Sequence, residues 1–384
     1  GSLGYKRTWR LSLRIRITSM ALTTVRPQGM GFVTGRRNLI INGAMQVWQR
    51  GTTQTFQNNG DYVLDRFAYR RGGTISTTTF DVSQEDTSGL PEFPHCIQAK
   101  VQDAALSDPN SINSQMNQFK YTVEGQDIQH WRWGTSEAQP IVISFYVKAS
   151  VAGTYCWQIR HVDSAKNYVA EYTISSADTW EKKTIYVAAP STSEVQTATP
   201  NDNTVGLTMQ WVMSGNVTGT SDQRISSANT WTADGAGGEL AYTANQTNNW
   251  TTVDNIFQLT GVQLEVGENA SDFEHRSYGE ELTLCQRYYH QTDLAAYQRY
   301  DSSAYADTTS RVYTTPSLPQ TMRATPTVTQ SGLTVDGAAV DSVATALGTQ
   351  KMSFKLNHDS SRTANESYQV YPTGTASVKF DAEL

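Results

Sequence analysis

Charge is scarce in this chain. Asp, Glu, Lys and Arg make up only 17% of its 384 residues, against roughly 25% in an ordinary soluble domain. The strong helix formers Glu, Lys and Leu are thin, which argues against a coiled coil or a helical bundle. No apolar run approaches the ~18 residues of a membrane-crossing helix, and the longest, Ile141–Val147, has the length of a strand. Basic residues stand at the N-terminus with no apolar stretch behind them, so a secretory signal is not expected. Cysteine is rare and unpatterned. Cys96, Cys156 and Cys285 lie far apart with no CxxC or Cys/His spacing, and are expected as free core thiols of a protein made in a reducing compartment. Walker loops, GxGxxG turns, GxSxG elbows and HExxH helices are all missing. Acids are missing locally: the first is Asp61.

What is abundant points one way. The chain holds 49 Thr, 19 Tyr and 9 Trp, all residues that favour strands. Hydrophobic residues at 38% supply enough apolar surface for real cores. An all-β protein is expected, of two or three domains at roughly 100–200 residues each. Net charge is −6, unevenly spread. Residues 1–37 carry Lys6, Arg7, Arg10, Arg14, Arg16, Arg26, Arg36 and Arg37; removing these eight from 30 basic residues leaves 22 against 36 acids, a body near −14. A basic arm on an acidic body reads as a docking peptide or a nucleic-acid tail.

Within the arm, Arg10–Thr18 alternates strictly. Leu11, Leu13, Ile15 and Ile17 fall on one side, Arg10, Arg14 and Arg16 on the other, the pattern of a half-buried strand. Such a strand is completed by a sheet edge, and a partner chain is the expected donor. Nucleic-acid binding is not expected, because only Tyr5 and Trp9 interleave the basic residues. The segment 19–37 reads as an extended linker, and Met20 as an alternative start. From 38 to 275, short strand signals recur between polar turns, including Ile40–Trp48, Ile97–Val101, Phe119–Val123, Ile141–Lys148, Tyr155–His161, Val205–Val212 and Phe257–Val266. This predicts an antiparallel jelly-roll sandwich, with 214–249 as a surface excursion outside the core. Ser277 and Glu280 form a capping box opening a connecting helix, Tyr278–Tyr289, within 276–290. Its apolar stripe is Leu282, Cys285 and Tyr289. Residues 291–384 return to strands, a second and smaller β domain.

Chemistry is sparse. The six histidines stand apart, and no metal site or cofactor is expected. Asp61 and Asp65 invite comparison with a glycosidase pair, but four residues along a strand span about 13 Å, too far for either geometry. Asn201–Asn203 and Asp254–Asn255 carry oxygens that suit calcium, and turns use the same residues. The aromatics are more telling. Trp131 and Trp133 place two indoles on one face of an extended segment, and Tyr155 and Trp157 repeat the pattern. Sugar C–H faces stack on indoles, so these four are the candidate glycan platform, with the sandwich core as the competing use. Trp48 and Trp180 read as core or turn-packing residues.

Several stretches carry a resemblance. Asn38-Leu-Ile-Ile-Asn-Gly-Ala-Met-Gln-Val-Trp-Gln-Arg-Gly51 resembles the opening of a jelly-roll domain in phage tail fibres and tail-associated proteins of marine phages and prophages. Glu124-Gly-Gln-Asp127, Trp133-Gly-Thr135 and Ile143–Lys148 look like its middle, which is similar to carbohydrate-binding modules. Leu259–Gly267 followed by Phe273–Tyr289 is the most distinctive match, and Met322–Thr327 and Phe380–Leu384 resemble the tail end. The resemblance implies a virion structural protein, commonly trimeric, assembled in the host cytoplasm, that recognises surface glycans and catalyses nothing. The long-fibre pattern of anchoring domain and coiled shaft is not matched, which makes the arm the expected anchor to other tail or capsid proteins. Two other readings stand beside it: a decoration or adaptor protein without a receptor role, and a glycan depolymerase.

Overall fold

The structure is a computed structural model that describes residues 37–56, 62–71, 80–102, 116–215, 223–235, 238–250, 252–347, 353–358 and 363–384. Its first body is two antiparallel sheets. One runs, in spatial order, β1 (Thr53–Phe56), β4 (Phe80–Asp86), β5 (His95–Val101), β13 (Ile256–Val266), β7 (Ile141–Ala149) and β10 (Glu181–Val187). The other runs β12 (Trp231–Ala233), β9 (Lys166–Ile174), β8 (Gly153–His161), β11 (Val205–Ser214), β6 (Asn117–Glu124), β3 (Phe67–Arg71) and β2 (Tyr62–Leu64). The chain passes back and forth between the sheets, as the expected jelly roll requires. Alternation explains the packing. On β7, Ile141, Ile143, Phe145, Val147 and Ala149 are all buried in the shared core, while Ser144, Tyr146 and Lys148 take the outer face. Aromatic rings bridge the sheets: Tyr69 lies 5.6 Å from Phe80, and Phe145 6.0 Å from Trp211.

Two local expectations fail for identifiable reasons. Ile40–Trp48 is a run of turns, not a strand, because Asn42 and Met45 adopt left-handed backbone at φ 61° and 55°. The Asn42 side chain holds that shape, accepting from Gln46 and Val47 N–H (2.9 Å each) and donating to the carbonyls of Val47 (2.9 Å) and Asp65 (3.1 Å). The 214–249 excursion also belongs partly to the interior. Its Ile225, Leu240, Ala241 and Tyr242 pack on Met116, Cys156, Val169 and Val212, on the outer face of the second sheet.

Helix α1 spans Tyr278–Gln286 and opens on the expected capping box, with Ser277 and Glu280 bonded reciprocally. Ser277→Ala is expected to cost about 1 kcal/mol of stability, measured by urea unfolding. The helix stops before Tyr289, which opens a strand instead. Leu282 and Cys285 turn towards Ile41, Val47, Tyr288 and Leu384, so the stripe seals the join between the two β bodies. All three cysteines are free and buried, as expected.

The second body has its own core, built around Val312, Leu333, Val335, Leu356, Val370, Val378 and Phe380. Its strands are β14 (Tyr289–Leu294), β15 (Asp301–Thr308), β16 (Arg311–Thr314), β17 (Thr327–Val335), β18 (Ala338–Leu347), β19 (Ser353–His358) and β20 (Ser367–Asp381). The long β20 pairs with β17 along one edge and with β14 and then β15 along the other. Since β15, β16, β19, β18 and β17 are joined in that order, the sheet closes on itself as a small barrel. Closure removes open edges, leaving β14 as a short flank.

Where the two bodies meet, the interior is ionic. Arg66, in the turn between β2 and β3, pairs with Glu383 and donates to the Thr122 carbonyl (2.6 Å), with Tyr288 beneath its guanidinium at 3.5 Å. Arg50 lies 3.4 Å from Glu383, 3.8 Å from Asp65 and 3.5 Å above the Tyr289 ring. The resembling stretches 38–51 and 273–289 are joined here too: Asn38 N–H donates to Glu274 (2.7 Å), and Arg276 donates to the Ile40 carbonyl (3.0 Å).

Candidate functional site

The four aromatics singled out from sequence are not a platform. Trp131, Trp133, Tyr155 and Trp157 are 1%, 3%, 0% and 0% exposed. Trp131–Trp133 is not an extended segment: it ends a 3₁₀ helix, and Arg132 takes left-handed backbone (φ 54°), with both indoles turned inward 5.0 Å apart. Trp133 also packs on Trp231 at 5.3 Å. Tyr155 and Trp157 lie on the inward phase of β8, where Tyr155 fits between Tyr172 (6.1 Å) and Phe257 (5.8 Å). A sandwich of these two broad sheets needs large rings to fill its middle, and that need wins.

An edge of Trp133 reaches a depression of about 330 Å³ lined by Ile128, Gln129, Arg132, Glu137 and Thr199. Its polar groups are already engaged: Trp133 Nε1 donates to the Gln139 carbonyl (2.8 Å), and the Gln129 amide donates to the Gly125 carbonyl (2.8 Å). The arm residues Arg10, Leu11, Leu13, Arg14, Ile15, Arg16 and Ile17 lie outside the described residues, as does Asp61.

Asp65 is fully buried, accepting from Gln49 N–H (2.7 Å) and the Gln49 amide (2.7 Å). No sugar reaches it. Among the described residues no three His, Cys, Asp or Glu side chains gather as metal ligands. Asp202 accepts from Thr204 N–H (2.9 Å), and Asp254 pairs with Lys100 at 2.8 Å.

The outer face of the first sheet has a different character. Ladder register places Ser83, Gln98, Gln258 and Lys148 side by side on β4, β5, β13 and β7. Trp180, just before β10, completes the row, with the Lys148 ammonium 5.3 Å from its ring. Gln258 donates to Gln98 Oε1 (2.7 Å), Gln98 donates to Glu85 (3.4 Å), and Ser83 donates to the same carboxylate (2.7 Å). Gln98 and Gln258 are only 9% and 5% exposed although they stand on an outer face, so their neighbours rise around them as walls.

The amide chain ends unfinished: Gln258 Oε1 is buried without a hydrogen-bond partner, and so is Trp180 Nε1. Leaving such groups unpaired costs about 1–3 kcal/mol each, which a ligand hydroxyl or oxygen recovers. The next row holds Glu85, Cys96, Thr260, Tyr146 and Lys182, with Lys182 5.8 Å from the Tyr146 ring. Cys96 is the buried member of this row, its thiol pushed up to about 12 by burial and therefore unreactive. At the margin, Tyr186 is 45% exposed. A β-bulge in β13 makes the wall beside Tyr146: Gly261 has φ +59°, and a Cβ there would meet the Phe93 ring at 2.8 Å.

Sequence reading missed this face. Its signal was the even-numbered set on β5, β7 and β13, where Gln98, Ser144, Tyr146 and Gln258 are uncharged polar residues around the charge of Lys148. Amides, a hydroxyl, ammonium groups and aromatic rings side by side are the groups that engage polyols.

No family model and no curated protein matches this chain. Solved structures that it resembles include phage tail components and carbohydrate-binding modules. One is the enzymatically active domain of tailspike protein 4 of bacteriophage CBA120, at 10% identity and TM-score 0.29, covering 60% of this chain and 21% of that one. Another is the family 11 carbohydrate-binding module of a Clostridium thermocellum cellulosomal cellulase, at 12% identity and TM-score 0.27, covering 57% of this chain and 98% of that one. A third is the tripod from the baseplate of bacteriophage Tuc2009, at 11% identity and TM-score 0.22, covering 64% and 60%. The chain thus spans about a fifth of the length of that tailspike domain. No helix among the described residues is long and apolar enough to cross a membrane.

Proposed function

We propose that this protein is a non-enzymatic structural subunit of a phage particle, a tail-fibre or spike protein whose β bodies recognise a host-surface glycan. In this reading it acts as a homotrimer, assembled in the host cytoplasm and carried on the virion through its basic arm. The observation that carries the glycan part is the sunken Gln98–Gln258 amide chain, bordered by Trp180 and Tyr146, with one acceptor and one donor left unpaired. The phage part is supported by the resemblance of 38–51 and 273–289, stretches that hydrogen-bond to one another. The non-enzymatic part is supported by the enclosure of Asp65 among Gln49 and Arg50, away from any substrate. A decoration protein without a receptor role has no use for an unsatisfied polar trough, so that reading ranks second.

Binding of the full chain to host capsule and lipopolysaccharide, measured by biolayer interferometry, tests this. Trp180→Ala is expected to weaken binding by about 1–3 kcal/mol, the range of a lost stacking ring, with an unchanged unfolding midpoint. Equal binding by wild type and variant, or release of reducing ends on long incubation, would overturn the reading.

A further inference from the structure

The outer face of the first sheet is electrically lopsided, and we infer that the glycan it receives is acidic, a polysaccharide with carboxylates on its sugars. This inference rests on the glycan-recognition reading above. Two lysines on or beside the face are already paired. Lys100 on the face has Asp254 at 2.8 Å, and Lys183, on the inward phase of β10, has Glu181 at 2.5 Å. Lys148 and Lys182 differ: among the described residues neither ammonium has a carboxylate at ion-pair distance, and each stands by a ring instead, Trp180 at 5.3 Å and Tyr146 at 5.8 Å.

The acids of the face lie elsewhere. Asp81 and Glu85 are on β4, four strand steps from β10, about 19 Å at ~4.8 Å per step. Glu85 is already accepting from Ser83 and Gln98. Glu92, which meets the Tyr146 hydroxyl, is shared with His275 at 3.5 Å. Asp178, in the turn before Trp180, accepts from Ser150 at 3.4 Å. Glu265, on the same face of β13 beside Val142, accepts from Gln263 and Ser271. A chain of net charge −6 therefore carries two ammonium groups here, on Lys148 of β7 and Lys182 of β10, with no carboxylate among the described residues at ion-pair distance.

Hydrogen-bonding capacity is divided the same way. At the β7–β10 end the unspent groups are the Lys148 ammonium and Trp180 Nε1, which only donate. At the β4–β13 end the unspent group is Gln258 Oε1, which only accepts, and beside it the Glu85 carboxylate, already accepting from Ser83 and Gln98 at Oε1, offers its second oxygen. A neutral sugar offers hydroxyls to both ends without distinction. A uronate does more: its hydroxyls donate towards Gln258 and Glu85, while its carboxylate, an acceptor only, meets the two donors by Trp180. The ring faces of Trp180 and Tyr146 remain for the apolar side of the pyranose.

Three uronate polymers, polygalacturonate, alginate and hyaluronan, each paired with its carboxyl-reduced form, test this against the full chain by affinity electrophoresis. Wild type is expected to bind at least one acidic member about tenfold more tightly than its reduced partner. That preference should shrink in high salt, because Lys182 is exposed and Lys148 only half-buried. Lys148→Gln with Lys182→Gln should bring the ratio near one, because affinity for the acidic polymer falls about tenfold more than affinity for its reduced form. Equal wild-type affinity within every pair would overturn the inference and leave the glycan reading standing. A preference that survives in the double variant would overturn it too. Binding to none of the six polymers would overturn both.

Discussion

Replacing Arg66 by alanine is expected to lower the unfolding free energy by about 3–5 kcal/mol, the usual cost of removing one partner of a buried pair. Both ends of the pair are interior: the Arg66 side chain is 1% exposed and that of Glu383 3%. Desolvation disfavours the Arg66 guanidinium, and Glu383 together with the rings of Tyr288 and Tyr121 outweighs it, so the charge is held firmly. Alanine leaves Glu383 with Arg50 at 3.4 Å as its remaining ionic partner and leaves the Thr122 carbonyl without its donor. It also empties the space over Tyr288. Urea unfolding followed by tryptophan fluorescence measures the loss. The indoles report mainly on the sandwich, where Trp131, Trp133, Trp157, Trp211 and Trp250 are buried. A loss below about 1 kcal/mol would show that the ionic join contributes little and that apolar contact around Leu282 and Cys285 holds the bodies together.

This join also shows where sequence reading stops. Strand-rich composition and period-two alternation gave the class of fold, because each strand buries one face and its pattern is local. The helix start was equally local, since Ser277 and Glu280 satisfy one another across a single turn. Barrel closure was not legible, because it depends on β20 pairing along both edges over 15 residues. Ion pairing between Arg66 and Glu383 joins residues 317 apart in sequence, and no spacing rule reaches that far. The glycan site failed for a related reason. Trp131, Trp133, Tyr155 and Trp157 have the right residue types, but type does not say which phase of a strand points inward. Trp180, read as a packing residue, stands beside the outer row because β10 pairs with β7 in that register.

A second large effect is expected from acid. Burial pushes the Asp65 carboxyl up from 3.8 to about 6, and Arg50 and the two Gln49 donors only partly offset it. The sign follows directly. Between about pH 4 and 6 the folded chain holds a proton on Asp65 that the unfolded chain has released, so this group makes the fold less stable as pH rises. His161 pulls the other way. Its imidazole is pushed down to about 4 by burial and by Arg160, so the unfolded chain protonates first and the fold loses stability as pH falls. In the wild type the two slopes oppose, and stability should change little between about pH 4 and 7. Asp65→Asn removes one of them. The variant keeps one acceptor oxygen for Gln49 and sets an amide NH2 against the other donor, a cost that does not vary with pH; it no longer titrates, so His161 acts unopposed and acid should destabilise it. The difference in unfolding free energy between wild type and Asp65→Asn should shift by about 3 kcal/mol in favour of wild type from pH 7 to pH 4, at 1.36 kcal/mol per pKa unit. Urea titrations at several pH values read this difference directly, and the other carboxylates cancel because both proteins share them. A difference that stays constant across the range would mean that Asp65 keeps an ordinary carboxylate pKa inside the join, with Arg50 fully compensating its burial.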